Sequence, residues 1–367
     1  MPRGLDGVDG VETEHDLPRA EPAPGQTEAT VDRRTGRDRL APRITSRDAS
    51  SFRLSTRDIL QRFGVVFVWL IVIVVFSALE PSTFFTFGTV QTITGSQAVL
   101  LIIAIGLLPP LAAGEFDLSV ASVTGLSLVL IGWLNVIHSW PIGAAIAVAL
   151  AAGLGVGAVN AFFVVVARVD SFIVTLGTGT VLVGVMYGIN TQSTGGISNG
   201  LVNAMHRNFL SLPLAFYYGL ALTVVVWYVM SHTPLGRYLY FVGSGRDVAR
   251  LSGIRVEQLR AGAFLASSLI AAFAGVVLAG WLSASDVTVS NSYMLSSFAA
   301  AFLGASIIHP GRFNAWGTLI AVYFLVTGIT GLELIGLAGW IESVFYGSSL
   351  VIAVAITRTI SLRGGDG

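Results

Sequence analysis

Long apolar stretches recur along this chain at a spacing suited to a lipid bilayer. From Phe63 onward, mostly apolar runs alternate with short polar loops. A helix that crosses a bilayer needs about 20 consecutive, mostly apolar residues, and it satisfies its backbone polar groups internally. Ten stretches fit: 63–79, 95–113, 118–137, 142–167, 171–189, 209–231, 260–283, 293–308, 313–332 and 340–357. Pro109-Pro110 falls near the end of the second, and the eighth is short. The expected fold is all-α: a polytopic membrane bundle of about ten helices. Composition agrees, since only 11% of residues are charged, against about 25% in soluble domains. So little polar surface could not cover the molecule in water.

Residues 1–50 have another character, rich in Arg, Asp, Glu, Pro and Gly and poor in large apolar side chains. Such a segment buries too little surface to fold. It is expected to be a disordered cytoplasmic tail, followed by a transmembrane domain over 51–360 and a short cytoplasmic tail over 361–367. No apolar core follows the start methionine, so the tail does not read as a signal peptide. Loops on the cytoplasmic side carry the excess of basic residues. Arginines crowd the stretch from Arg33 to Arg62 and the segment from Arg237 to Arg260, and Arg358 and Arg363 close the chain. With ten spans both termini lie inside, and Arg207 alone falls in an outer loop.

Several chemistries are excluded. The chain has no cysteine, so disulfides, thiolate chemistry and Cys-based metal sites are out. His15, His138, His206, His232 and His309 are scattered without ligand spacing, and metal sites need clustered ligands. All 21 basic residues are arginine, whereas a phosphate-binding Walker A loop requires a lysine. Any ATP-driven step must therefore use another polypeptide. With no H-E-x-x-H motif either, no catalytic residue, metal, cofactor or nucleic-acid partner is expected.

Within the spans, Gly153, Gly157 and Ala161 are spaced by four, as are Gly184 and Gly188. Small residues at that interval let helices approach closely in lipid. Gly114-Glu115-Phe116-Asp117 is echoed faintly by Gly311-Arg312-Phe313-Asn314, each between two spans on the inner side. Asp117 or Ser119 is placed to cap the helix that follows. Alternatively, Glu115 and Asp117 act in gating, since carboxylates in or near the membrane are costly and default to function. Ser171, Thr175 and Thr178 share one helical face. Either they line a polar pathway, with Asn160 and Asn190 as further candidates, or they bond a neighbouring helix. In the inner loop from about Ser231 to Arg260, Asp247–Leu251 suits a short helix with Arg246 and Arg250 four apart, and Gly253 suits its C-cap. That loop is either a docking element for a soluble partner or a solvated basic loop.

Four of these runs, in order, resemble the permeases of the ribose/xylose-type branch of ATP-binding-cassette importers. The inner loop matches at Gly236-Arg237, Gly243 and Ala249-Arg250-Leu251-Ser252-Gly253-Ile254, with Gly245 where that family usually has Asn. Gly114-Glu115-Phe116-Asp117-Leu118-Ser119-Val120 is similar to its Gly-Gly-Ile-Asp-Leu-Ser-Val-Gly signature, departing at Glu115, Phe116 and Ala121. Ser171-Phe172-Ile173-Val174-Thr175-Leu176-Gly177 and the run from Leu303 to Thr318 match two further signatures. The resemblance covers about residues 60–360. It implies a permease dimer that holds the solute only weakly, because an extracytoplasmic solute-binding protein selects it. It also implies a cytoplasmic ATPase subunit that drives inward movement of a small polar solute, a monosaccharide. Gly236, Arg237, Gly243, Arg246, Ala249, Arg250 and Gly253 would then form the ATPase-coupling loop. The competing expectation is an ion-coupled secondary transporter. Such proteins commonly hold ionisable residues at the midplane, and here Glu115 and Asp117 only flank a span.

Overall fold

The computed structural model describes residues 56–364, apart from 85 and 338. The tail expected over 1–50 lies outside the described residues. Helix α1 (Thr56–Leu79) is followed by α2 (Phe87–Ser96), α3 (Ala98–Gly106) and α4 (Leu108–Ala112), which run on as one apolar stretch broken into turns. Pro109 and Pro110 sit in the first turn of α4, where a missing N–H costs nothing. Next come α5 (Val120–Gly132) and α6 (Ile142–Ala161), each ending in a π-helical turn, and α7 (Ser171–Ile189). The short α8 (Asn199–His206) precedes α9 (Leu214–His232), then α10 (Pro234–Ser244) and α11 (Arg246–Leu251). Helices α12 (Val256–Leu282), α13 (Ser292–Gly304), α14 (Ala315–Leu334) and α15 (Trp340–Gly364) complete the bundle.

Connections sort into two ends, labelled here by the expected orientation. At the outer end β1 (Thr194–Gly195) pairs with β4 (Ala284–Ser285), β2 (Asn208–Phe209) pairs with β3 (Leu212–Pro213), and the Ser198 N–H donates to Asn135 Oδ1 at 2.9 Å. At the inner end the Phe116 N–H donates to Ser171 Oγ at 3.2 Å, and the Tyr240 hydroxyl donates to Phe313 O. Loops expected on one side thus meet one another.

The core follows from composition. Helix α3, AVLLIIAIG, is apolar all round and buried at every residue, as a helix with no polar face must be. Helix α12 packs beside it and against α5 and α6. A Cβ at Gly153 would collide with Ala272, and one at Gly157 would stand 3.0 Å from Phe264 O, so this pair is the contact face the spacing predicts. Gly184 and Gly188 differ: nothing of this chain lies within 4 Å of a Cβ at either. Spacing defines a helical stripe but not the direction it faces. Gly153→Val is accordingly expected to destabilise by about 1–3 kcal/mol through overpacking, and Gly184→Val to be near neutral. Heat unfolding of the two purified variants in detergent checks this; equal losses would contradict the assignment.

Among the described residues, seven helical stretches are long and apolar enough to cross a membrane, and 64–79 and 340–355 are shorter apolar helices. The expected eighth span is corrected. Helix α13 has 13 residues, about 20 Å at 1.5 Å per residue, too short for a hydrocarbon core of about 30 Å. It opens at Ser292 and stops at Gly304, short of the expected end at 308, and before it Asp286–Asn291 runs irregularly along α5: a Cβ at Gly132 would meet Ser285, and one at Gly125 would meet Ser290. Irregular backbone is tolerated at membrane depth where protein covers it.

Candidate functional site

The inner end gathers most of the polar candidates around residues 113–119. Helix α4 closes in a Schellman turn: the Gly114 N–H donates to Leu111 O at 3.1 Å and the Glu115 N–H to Pro110 O at 2.9 Å. Gly114 takes the left-handed conformation, φ 74°, that this turn needs. The turn aims Glu115 inward, where it is 1% exposed. Its Oε1 accepts from Arg246 Nη2 at 2.7 Å and from Arg260 Nε at 2.5 Å. Arg246 also donates to Gly114 O at 3.2 Å. A buried carboxylate is sustained only by such charge-assisted bonds. The sequence reading placed Arg246 and Glu115 in separate groups and gave Arg260 no role. They lie 131 and 145 residues apart from Glu115 respectively, and no local pattern announces such a meeting.

Asp117 is fully buried. Its Oδ1 accepts the Ser119 N–H at 3.1 Å and the Ser119 hydroxyl at 2.6 Å, while Oδ2 has no hydrogen-bond partner among the described residues. Burial pushes this carboxyl above its ordinary range, against the lowering effect of Ser119. Ser119 makes no cap bond to α5; its Oγ accepts from Asn160 Nδ2 at 2.9 Å. Thr175 Oγ1 accepts the Leu118 N–H at 3.0 Å, and with Ser171 it ties α7 to the backbone of 116–118. Thr178 stands partly exposed on the next turns of α7. Asn190 lies at the opposite end of that helix, bonded to Thr194 at 2.7 Å. Asn160, Ser171 and Thr175 therefore share one neighbourhood, and Asn190 does not join it.

The basic loop folds as two short helices laid across this end. A Cβ at Gly243 would collide with Ala112 O, and one at Gly236 with the Met230 backbone. Only glycine lets α10 lie so close to its neighbours. Arg237 lines an open cleft with Tyr240, Gly243 and Arg312. Arg312 stacks over the Tyr240 ring at 4.2 Å, so α10 touches both of the echoed loops. In α11, Ala249 is buried with Val242 and Val256, whereas Val248 and Leu251 are 59% and 89% exposed. Arg250 pairs with Glu257 at 2.5 Å and Asp247 at 3.5 Å. A second Schellman turn ends the helix, with the Ile254 N–H on Ala249 O at 3.1 Å, the Gly253 N–H on Arg250 O at 3.0 Å, and Gly253 at φ 78°. This is the C-cap that the sequence suggests at Gly253.

A G-x-S-x-G run does occur, Gly196-Ile197-Ser198-Asn199-Gly200, and matches a hydrolase nucleophile pattern. It opens the short α8, and among the described residues no hydrogen bond joins Ser198 to a histidine. His206 instead stacks on Trp281 at 4.6 Å.

Comparison with known proteins agrees with this architecture. The ribose import permease protein of Haemophilus influenzae is 29% identical over 314 residues, 84% of this chain and 95% of that protein. The D-allose transport system permease protein of Escherichia coli is 26% identical over 301 residues, 82% and 92% of the two chains. The autoinducer 2 import system permease protein of Photorhabdus luminescens is 25% identical over 269 residues, 71% and 80%. No solved structure matches the chain. Residues 89–354, from α2 into α15, match the family described as branched-chain amino acid transport system / permease component, and the chain is a multi-pass membrane protein of that family.

Proposed function

We propose that this chain is the membrane permease subunit of an ATP-binding-cassette importer that moves a monosaccharide inward. The observation that carries the reading is the near end-to-end likeness to permeases named for ribose and D-allose. The absence of any lysine supports ATP hydrolysis by a separate cytoplasmic ATPase subunit. Helices α10 and α11 are the docking element for it, through Gly236, Arg237, Gly243, Arg246, Ala249, Arg250 and Gly253. Exposed Val248 and Leu251 beside Arg250 offer an apolar and basic face suited to a soluble partner. An extracytoplasmic solute-binding protein delivers the sugar, two copies of this chain form the membrane unit, and both termini are cytoplasmic. Glu115, Asp117 and Ser119 belong to the gate at the inner end. Asn160, Ser171, Thr175, Thr178 and Asn190 are candidates for contact with the passing solute.

The test is a mild-detergent pull-down of the tagged chain from native membranes, followed by reconstitution into liposomes. Recovery of a Walker-A-containing ATPase and a solute-binding protein is expected, with ATP-dependent uptake of labelled D-ribose or D-allose. Collapsing ion gradients with ionophores should leave uptake unchanged. Uptake that stops with the gradient while ATP persists would refute the reading in favour of ion coupling.

A further inference from the structure

We propose that the irregular half of the eighth crossing is a solute-contacting surface, formed by Thr288, Asn291 and Ser292, for a small polyhydroxylated molecule. It deepens the importer reading and rests on that reading for the kind of solute.

Depth comes first. Strand β4 fixes Ser285 at the outer end, where it abuts Gly132 of α5. Ser290 abuts Gly125, seven residues down the same helix and so about 10 Å deeper. Helix α13 then carries the chain to the inner end, where Phe298 and Phe302 each stack on Phe116 at 6.4 Å. Residues 286–292 therefore lie well inside the bundle's thickness, mostly without α-helical hydrogen bonds.

The two sides of this segment differ. Ser285, Val287 and Ser290 are buried against the core, whereas Thr288, Asn291 and Ser292 are exposed. Among the described residues the Asn291 side-chain amide forms no hydrogen bond, and it does not cap α13. A buried Ser290 hydroxyl beside it is also unpartnered. Acyl chains cannot satisfy such groups, so a surface of this kind persists at depth only where it lines water or a polar ligand. Lipid-suited surface looks different: on α7, Ile173 and Val181 are each 64% exposed. The Asn291 amide can both donate and accept, while the hydroxyls of Thr288 and Ser292, which donate to Asp286 Oδ1 and to Val289 O at 2.9 Å, keep lone pairs to accept from sugar hydroxyls. At the outer margin of this surface stands the Asp286 carboxylate, whose Oδ1 accepts from the Thr288 N–H and hydroxyl at 2.8 and 2.7 Å.

The chain has no cysteine, so single thiols report without background. Thr288→Cys, Asn291→Cys and Ser292→Cys are made in the full-length protein, kept in its native membranes with its partners. The near-isosteric Ser292→Cys guards against loss of folding. Ile173→Cys and Val181→Cys serve as lipid-facing controls. The probe is a charged, membrane-impermeant methanethiosulfonate. The three path thiols are expected to react at least ~10-fold faster than the controls, because the reactive thiolate forms in water and not in hydrocarbon. Asn291→Leu should lower D-ribose and D-allose uptake while ATP hydrolysis persists. Reaction rates equal to the controls, alongside normal ATP-dependent uptake, would overturn the path and leave the importer reading standing. Slow reaction with disulfide-linked dimers at 291 would assign this surface to a second copy and equally overturn the proposal. Fast reaction without any ATP-dependent uptake would uphold the water-lined path and remove the importer reading.

Discussion

Arg260→Ala is expected to cost about 3–5 kcal/mol of stability, the largest effect of any single change at the inner end, because it strips a buried carboxylate of a buried partner. Glu115 is 1% exposed, and the Arg260 side chain is 10% exposed at 2.5 Å from it. The other partner, Arg246, is 45% exposed, and water and salt weaken its share. Arg246→Ala should therefore cost about 1 kcal/mol or less. The double variant Glu115→Leu/Arg260→Leu removes both charges together and should recover most of the loss, since a buried pair exchanged for apolar groups is often neutral. Unfolding of the purified variants in a graded SDS series measures all three. An Arg260→Ala protein as stable as the wild type, or a double variant no better than the single one, would show that this ion triad does not hold the inner end together.

The same triad shows what a sequence can and cannot disclose. Apolar runs are local, so the helical character of the expected ranges is legible, although among the described residues seven stretches are long and apolar enough to span; the Gly253 turn is legible because a C-cap is a matter of a few adjacent residues. The meeting of Glu115 with Arg246 and Arg260 is tertiary and leaves no local mark. Gly153 and Gly184 begin identical four-residue spacings, yet one faces α12 and the other nothing in this chain. The direction of a stripe depends on neighbours that arrive from elsewhere. Hydropathy also misled at the eighth range, where the helix within the apolar window 293–308 is short and the polar stretch before it packs along α5. Polar residues there look like an outer loop until Ser290 is found against Gly125. The faint echo of 114–117 in 311–314 gains substance in three dimensions. Gly114 and Gly311 both have positive φ, Phe116 and Phe313 both pack on Phe302, and α10 contacts both loops.

Gly253→Pro is expected to leave the protein inserted but to lower ATP-driven uptake about 100-fold. The reason lies in the turn between α11 and α12. Gly253 sits at φ 78°, and its N–H donates to Arg250 O at 3.0 Å. Proline fixes φ near −65° and has no N–H, a combined misfit of about 3 kcal/mol, which corresponds to about two powers of ten in an equilibrium. That energy falls on the turn, because the bundle is held by α3, α5, α6 and α12, and α11 is linked to it by Ala249 in a small apolar cluster, by the arm of Arg246 and by the exposed Arg250–Glu257 pair. The helix proposed to dock the ATPase then loses its C-terminal cap and its orientation, while the spans keep theirs. Gly253→Ala retains the N–H and meets only the left-handed penalty of about 1–2 kcal/mol, so a loss of tenfold or somewhat more is expected. Uptake, ATP hydrolysis and ATPase recovery are measured together in liposomes for the three proteins. A graded fall in uptake from wild type through Gly253→Ala to Gly253→Pro, with equal amounts inserted, ties the turn to energy transfer. Undiminished uptake by Gly253→Pro would mean that α11 transmits nothing, and the docking role would then have to be sought elsewhere on the inner face.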